Sequence, residues 1–151
     1  MGVVGLRCGD AMPPAPSQPV PFSHKTHAGV NQMGCTTCHV YAWHSKTAGI
    51  PSAARCYGCH RFVDSDKPAV QTVNKAFQEG KPLVWNQVYR LPDHVYFTHE
   101  RHLAAGVDCQ QCHGVVAQMD VMRQVTPLNM GWCLDCHHQR NAPTDCLTCH
   151  K

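Results

Sequence analysis

The chain has 151 residues, 43% of them hydrophobic, and a formal net charge of +3. That length suits one domain, but only 7% of residues are aromatic and glycine and proline number eleven each, so the polypeptide offers little material for an ordinary core. No basic run interleaved with aromatics occurs, and no apolar stretch reaches membrane-spanning length, which argues against a nucleic-acid partner and against a transmembrane helix in this sequence.

From the N-terminus, Met1-Gly-Val-Val-Gly-Leu-Arg7 lacks the charged start and apolar run of an export signal. Cys8 reads either as a lipid-anchored residue or as an ordinary thiol, and Arg7 suits a lipoprotein cleavage site poorly. Residues 1–21 form a Pro-rich tether, with five of the eleven prolines between Ala11 and Pro21. That stretch reads as an extended segment lying over a surface, or as a disordered terminus.

Residues 22–63 then present Phe22-Ser-His24-Lys-Thr-His27, followed by Cys35-x-x-Cys38-His39 and Cys56-x-x-Cys59-His60. Residues 64–91 contain no such motif. Ser65-Asp66 before Pro68 predicts a helix start, Val70, Val73, Ala76 and Phe77 give it an apolar stripe, and Gly80 is its natural stop. Leu83-Val84-Trp85 and Val88-Tyr89 read as an extended apolar arm between Pro82 and Pro92. Residues 92–151 repeat the first plan: Phe97-Thr-His99-Glu-Arg-His102, then Cys109-x-x-Cys112-His113 and Cys133-x-x-Cys136-His137. A short helix is expected over Val115–Val125, ended by Thr126-Pro127. Cys146-x-x-Cys149-His150 closes the chain.

Five Cys-x-x-Cys-His motifs therefore use ten of the eleven cysteines. This is the attachment pattern of c-type haem: two thioether bonds, with the histidine as proximal iron ligand. Residues i and i+3 share a helix face, so both sulfurs reach one porphyrin edge, and the next residue projects its imidazole toward the iron. Zinc knuckles also use Cys-x-x-Cys but need no histidine directly after it. With 12 histidines in 151 residues, five such placements by chance have odds on the order of 10⁻⁶. A thioredoxin-like redox pair would occur once, near a βαβ pattern.

The expected fold is therefore mostly irregular with short α-helices, a haem-packed core, and a duplicated two-haem module plus a terminal haem. Five covalently bound haem c groups would bring ten propionates, taking the polypeptide-plus-propionate charge to roughly −7. Haem attachment of this kind takes place outside the cytoplasm, so a periplasmic location is expected, with an export or anchor segment upstream of this sequence.

Each low-spin electron-transfer haem needs a second axial ligand, His or Met. Outside the motifs stand His24, His27, His44, His94, His99, His102 and His138. The two His-x-x-His pairs, His24/His27 and His99/His102, are the distal candidates for four haems. The fifth is left open between His138, His94 and Met130, with Met119 and Met122 as further possibilities and packing as the commoner fate of methionine. His44 reads as a supporting or surface residue.

Longer phrases carry a resemblance. Gln18-Pro-Val-Pro-Phe-Ser-His-Lys-Thr-His-Ala-Gly29, Ala48-Gly-Ile-Pro51, Gly80-Lys-Pro82, Leu91-Pro-Asp-His-Val-Tyr-Phe-Thr-His99 and Pro127-Leu-Asn-Met-Gly-Trp-Cys-Leu-Asp-Cys-His137 resemble the pentahaem cytochrome subunit of alternative complex III and related quinone reductase complexes. The histidine pairs also resemble small class III multihaem cytochromes. What the resemblance implies is an electron-transfer subunit on the periplasmic face of a membrane respiratory complex. Its implied partners are a quinone-binding membrane subunit, an iron–sulfur subunit resembling molybdopterin enzymes, and a monohaem or soluble cytochrome c or an oxidase.

An independent periplasmic shuttle is the alternative reading. An enzyme such as a nitrite or hydroxylamine reductase would need an open distal position, and this chain has histidines and methionines enough to fill five; the Cys-x-x-Cys-Lys motif typical of multihaem nitrite reductases is absent.

Overall fold

A computed structural model describes residues 12–150. Cys8 and the first part of the Pro-rich tether lie outside the described residues. Among the described residues there are short helices, turns and coil, with a single isolated bridge between Val95 and His150 and no strand. This is a helix-poor, irregular fold of the small multihaem cytochrome c kind.

Among the described residues seven α-helices occur: α1 (Cys35–Cys38), α2 (Ala53–His60), α3 (Pro68–Gln78), α4 (His99–Ala104), α5 (Cys109–His113), α6 (Met130–Gln139) and α7 (Cys146–Cys149). A π-helical turn (Lys25–Val30) and a 3-10 turn (Val116–Gln118) complete the set. All five Cys-x-x-Cys pairs lie on helices, α1, α2, α5, α6 and α7, which sets their sulfurs one turn apart on one face. Side chains cap three of these helices: Asp108 accepts from Gln110 N at 2.8 Å, Asn129 from Trp132 N at 2.8 Å, and Asp145 from Thr148 N at 3.1 Å.

The helix of the linking segment forms over Pro68–Gln78, with Val70 and Val73 buried and Gly80 turning at φ +65°. Its start differs slightly from expectation. Lys67 is the N-cap rather than Ser65 or Asp66, because Pro68 supplies the fixed φ suited to a first helical position. α3 packs on α2, where the Tyr57 and Phe77 rings stack at 4.2 Å.

The helix expected over Val115–Val125 is corrected to the single 3-10 turn Val116–Gln118. Gly114, at φ +68°, breaks away from α5, and Met119 leaves the turn extended and buried. The following residues serve as coil whose polar groups meet Tyr89: Val125 N donates to its hydroxyl at 3.1 Å.

The end of the Pro-rich stretch is pinned. Gln18 Nε2 donates to Asn86 O at 2.9 Å, Asn86 N donates back to Gln18 Oε1 at 2.9 Å, and Asn86 Nδ2 donates to Ser17 O at 2.6 Å. The buried apolar set is small: Val20, Ala42, Ala53, Val70, Val73 and Met119. So thin a core leaves most of the burial to something other than polypeptide.

Candidate haem-binding sites

The two Phe-x-His-x-x-His segments adopt one geometry. Phe22 meets His24 edge-on at 4.9 Å and 87°, and stacks on His27 at 4.4 Å and 25°. Phe97 meets His99 edge-on at 4.9 Å and 87°, and packs on His102 at 4.5 Å and 32°. One phenyl ring thus sets the orientation of two imidazoles. The repeated Phe-x-His-x-x-His pattern marked these phenylalanines in the sequence, without showing their role.

Four candidate distal histidines lie opposite a motif histidine. Ring centroids are 5.9 Å apart for His27 and His60, 6.3 Å for His99 and His113, 6.1 Å for His102 and His137, and 5.6 Å for His94 and His150. An iron bonded to both rings at about 2 Å per bond would hold the centroids roughly 6 Å apart. The remaining pair is His24 and His39. Burial lowers the His24 pKa first, and His39 then His27 lower it further.

Backbone carbonyls fix the free nitrogen. Nδ1 lies 2.6 Å from Gly49 O in His39, 3.0 Å from Val63 O in His60 and 2.6 Å from Pro143 O in His137. Among the distal candidates it lies 2.8 Å from Ser23 O in His27, from Lys46 O in His99 and from Thr98 O in His102. A carbonyl can only accept, so Nδ1 must carry the proton and Nε2 keeps its lone pair for a metal. His113 reaches the same state by another route. Burial, then His99 and His39, push its pKa down to about 4, which keeps the ring neutral.

These residues fit haem c. The donor set includes eight imidazoles in four opposed pairs, with thiols one turn apart, and the buried Nδ1 atoms of His24 and His113 have no protein partner. A cleft of about 550 Å³ opens between α2, α3 and residues 80–85, lined by Ile50, Phe77, Leu83 and Trp85, whose buried Nε1 also lacks a partner. Among the described residues no cluster of three or more His, Cys, Asp or Glu is placed to hold a bare metal ion.

For the open fifth position, the structure brings His94 to a motif histidine and does not do so for the other two. Val95 pairs with His150, and Tyr96 N donates to Cys149 O at 2.6 Å, which carries His94 against α7. His138 is exposed near the end of α6, and Met130, at its start, is 64% exposed. Met119 is buried beside Gly114, and His44 is exposed.

Tyr89 is a residue that motif reading missed. Its ring meets His113 edge-on at 4.5 Å, and its hydroxyl accepts from Val125 N. Burial raises its pKa, so the phenol stays protonated.

Burial raises the thiol pKa of Cys56, Cys109, Cys112 and Cys133.

Two family models match different parts of the chain. A model described as the class III cytochrome c family matches residues 9–85, and one described as cytochrome c7 and related cytochrome c matches residues 95–151. The multihaem cytochrome c subunit of menaquinone reductase from Nitratidesulfovibrio vulgaris is 38% identical over 97 residues, covering 64% of this chain and 45% of that protein. The alignment thus spans less than half of that relative's length.

Proposed function

The chain belongs to the class III cytochrome c family, multihaem electron-transfer proteins with covalently bound haem c, and on that premise we propose that it is the electron-relay subunit of a membrane quinone oxidoreductase complex. Five haem c groups would supply the one-electron iron couples. Cys35/Cys38, Cys56/Cys59, Cys109/Cys112, Cys133/Cys136 and Cys146/Cys149 form the thioethers. His39, His60, His113, His137 and His150 are the proximal ligands, and His24, His27, His99, His102 and His94 respectively are the distal ones.

The protein's own part is to hold these ligands still. Carbonyls orient six of the ten imidazoles, Phe22 and Phe97 set the paired distal rings, and the N-caps fix α5, α6 and α7. Such ligation fills both axial positions, which suits electron transfer and leaves no site for substrate. The chain is therefore a relay and no enzyme by itself.

The observation that supports membership of a complex is the 97-residue similarity to a menaquinone reductase subunit. The complex is of the alternative complex III or related quinone-reductase type, on the periplasmic face of the membrane. Its partners are a quinone-binding membrane subunit, an iron–sulfur subunit resembling molybdopterin enzymes, and a monohaem or soluble cytochrome c. Among the described residues no helix is long and apolar enough to cross a membrane.

Purification from native membranes in mild detergent tests this reading. The chain is expected to migrate with an iron–sulfur subunit and a quinone-binding membrane subunit. A monodisperse soluble cytochrome with neither partner would refute it in favour of the independent shuttle.

A further inference from the structure

The two halves of the molecule brace each other reciprocally. Lys25 N, in the first ligand turn, donates to Met119 O, beyond the motif of the second half, at 2.9 Å. At the equivalent positions, Glu100 N donates to Ser45 O, beyond the motif of the first half, at 3.4 Å. The same local bond closes both ligand turns: Thr26 N to Ser23 Oγ at 3.1 Å and Arg101 N to Thr98 Oγ1 at 3.2 Å. When element A of one half binds element B of the other, and the reverse also holds, the halves are related by an approximate two-fold rotation.

Two features mark the junction between the halves. A cleft of about 280 Å³ is lined by Trp43, just after the Cys35 motif, together with Leu103, Val107 and Cys109. His99 N and Nδ1 both reach Lys46 O there, at 3.2 and 2.8 Å. The Cys35 and Cys109 motifs therefore meet across the axis.

The rest of the order follows from shared elements. His24 and His27, one turn apart, serve the Cys35 and Cys56 motifs, which must be neighbours. His99 and His102 likewise join the Cys109 and Cys133 motifs, and Arg140 Nη1, at the end of α6, donates to Ala105 O beside α4 at 3.2 Å. The Cys146 motif hangs on the far side through Val95 and Tyr96.

We propose that the five motifs lie in the spatial order Cys56, Cys35, Cys109, Cys133, Cys146, a single file in which the Cys35 and Cys109 motifs meet at an internal two-fold axis. The order differs from the chain order at its start, and it makes the Cys56 and Cys146 motifs the two ends. The Cys146 motif is the only one without an equivalent in the other half, so it extends one end of an otherwise symmetric four-site core. This inference rests on the reading that each motif carries haem.

Redox titration followed by EPR, on the wild type and on His27→Met, His99→Met and His94→Met, tests the order. A methionine ligand raises the potential of its own haem, which is then already reduced, with one positive charge fewer, when its neighbours titrate, and adjacent haems feel that change most. His99→Met should shift two neighbours, at the Cys35 and Cys133 motifs. His27→Met should shift chiefly one, at the Cys35 motif, and His94→Met chiefly one, at the Cys133 motif. A larger shift at the Cys56 motif than at the Cys35 motif in His99→Met would overturn the order. A structure of the haem-loaded wild type gives the same answer without any substitution. The irons of the Cys35 and Cys109 motifs as nearest neighbours support the order, and the Cys56 motif between them refutes it. Intact mass separates the two claims, since fewer than five haems on the wild type contradicts the loading reading and not the arrangement of the halves.

Discussion

The imidazole of His94 lies 5.6 Å from that of His150, with the ring planes 27° apart. No repeat in the sequence singles out this pair, because the first half has no counterpart of His94. What creates it is a main-chain contact, the Val95–His150 bridge, which carries the residue before it over α7. His94→Ala should therefore leave one haem of five high-spin in the oxidised protein and able to bind carbon monoxide once reduced. His138→Ala and Met130→Leu should leave the EPR spectrum unchanged.

Gly29 holds the first ligand turn against the 3-10 turn. A Cβ there would run into the carbonyl oxygen of Ala117, a backbone atom that cannot swing away. Gly29→Ala should cost about 1–3 kcal/mol through overpacking, read as a lower thermal midpoint of the haem-loaded protein. Gly131 sits near the start of α6 with only Asn129 Oδ1 near a Cβ, at 3.6 Å, and Gly131→Ala should be neutral or stabilising by about 0.5 kcal/mol.

Tyr89→Phe removes the acceptor of Val125 N while keeping the ring against His113. A loss of about 1 kcal/mol is expected, with the EPR signal of the Cys109 haem little changed. Tyr89→Ala also removes the ring, and should broaden that signal. Equal effects of both variants on it would show that the ring plays no part in orienting His113.

Asp145 caps α7, and its carboxyl is held below the usual range chiefly by the Thr148 hydroxyl, which donates at 2.5 Å. A carboxylate with a depressed folded pKa contributes stability that is complete above its unfolded value, about 3.9, and is lost as pH falls through the lower folded one. The thermal midpoints of the wild type and Asp145→Ala should therefore differ at neutral pH and converge below pH of about 4. A constant difference down to pH of about 2 would remove the carboxylate from the explanation.

Much of this was legible in the sequence because haem attachment is local. The two cysteines of each motif fold onto one helical turn in all five places, and a Phe-x-His-x-x-His segment carries its own geometry. The helix Pro68–Gln78 was legible for a similar reason, since its apolar stripe and flanking Pro68 and Gly80 are sequence-near signals. Long-range relations were not. That His94 meets His150, and that Ser45 and Met119 each hold the opposite half's ligand turn, depends on contacts between distant segments with no pattern of their own. The helix expected over Val115–Val125 failed on one residue, Gly114, whose left-handed conformation redirects the chain.

The central claim is that all five motif histidines share their iron with a second histidine. Low-temperature EPR with near-infrared magnetic circular dichroism of the oxidised, haem-loaded chain tests it most directly. The account predicts five low-spin His/His haems and no carbon monoxide binding after reduction; a His/Met charge-transfer band, or a high-spin haem in the wild type, would contradict it.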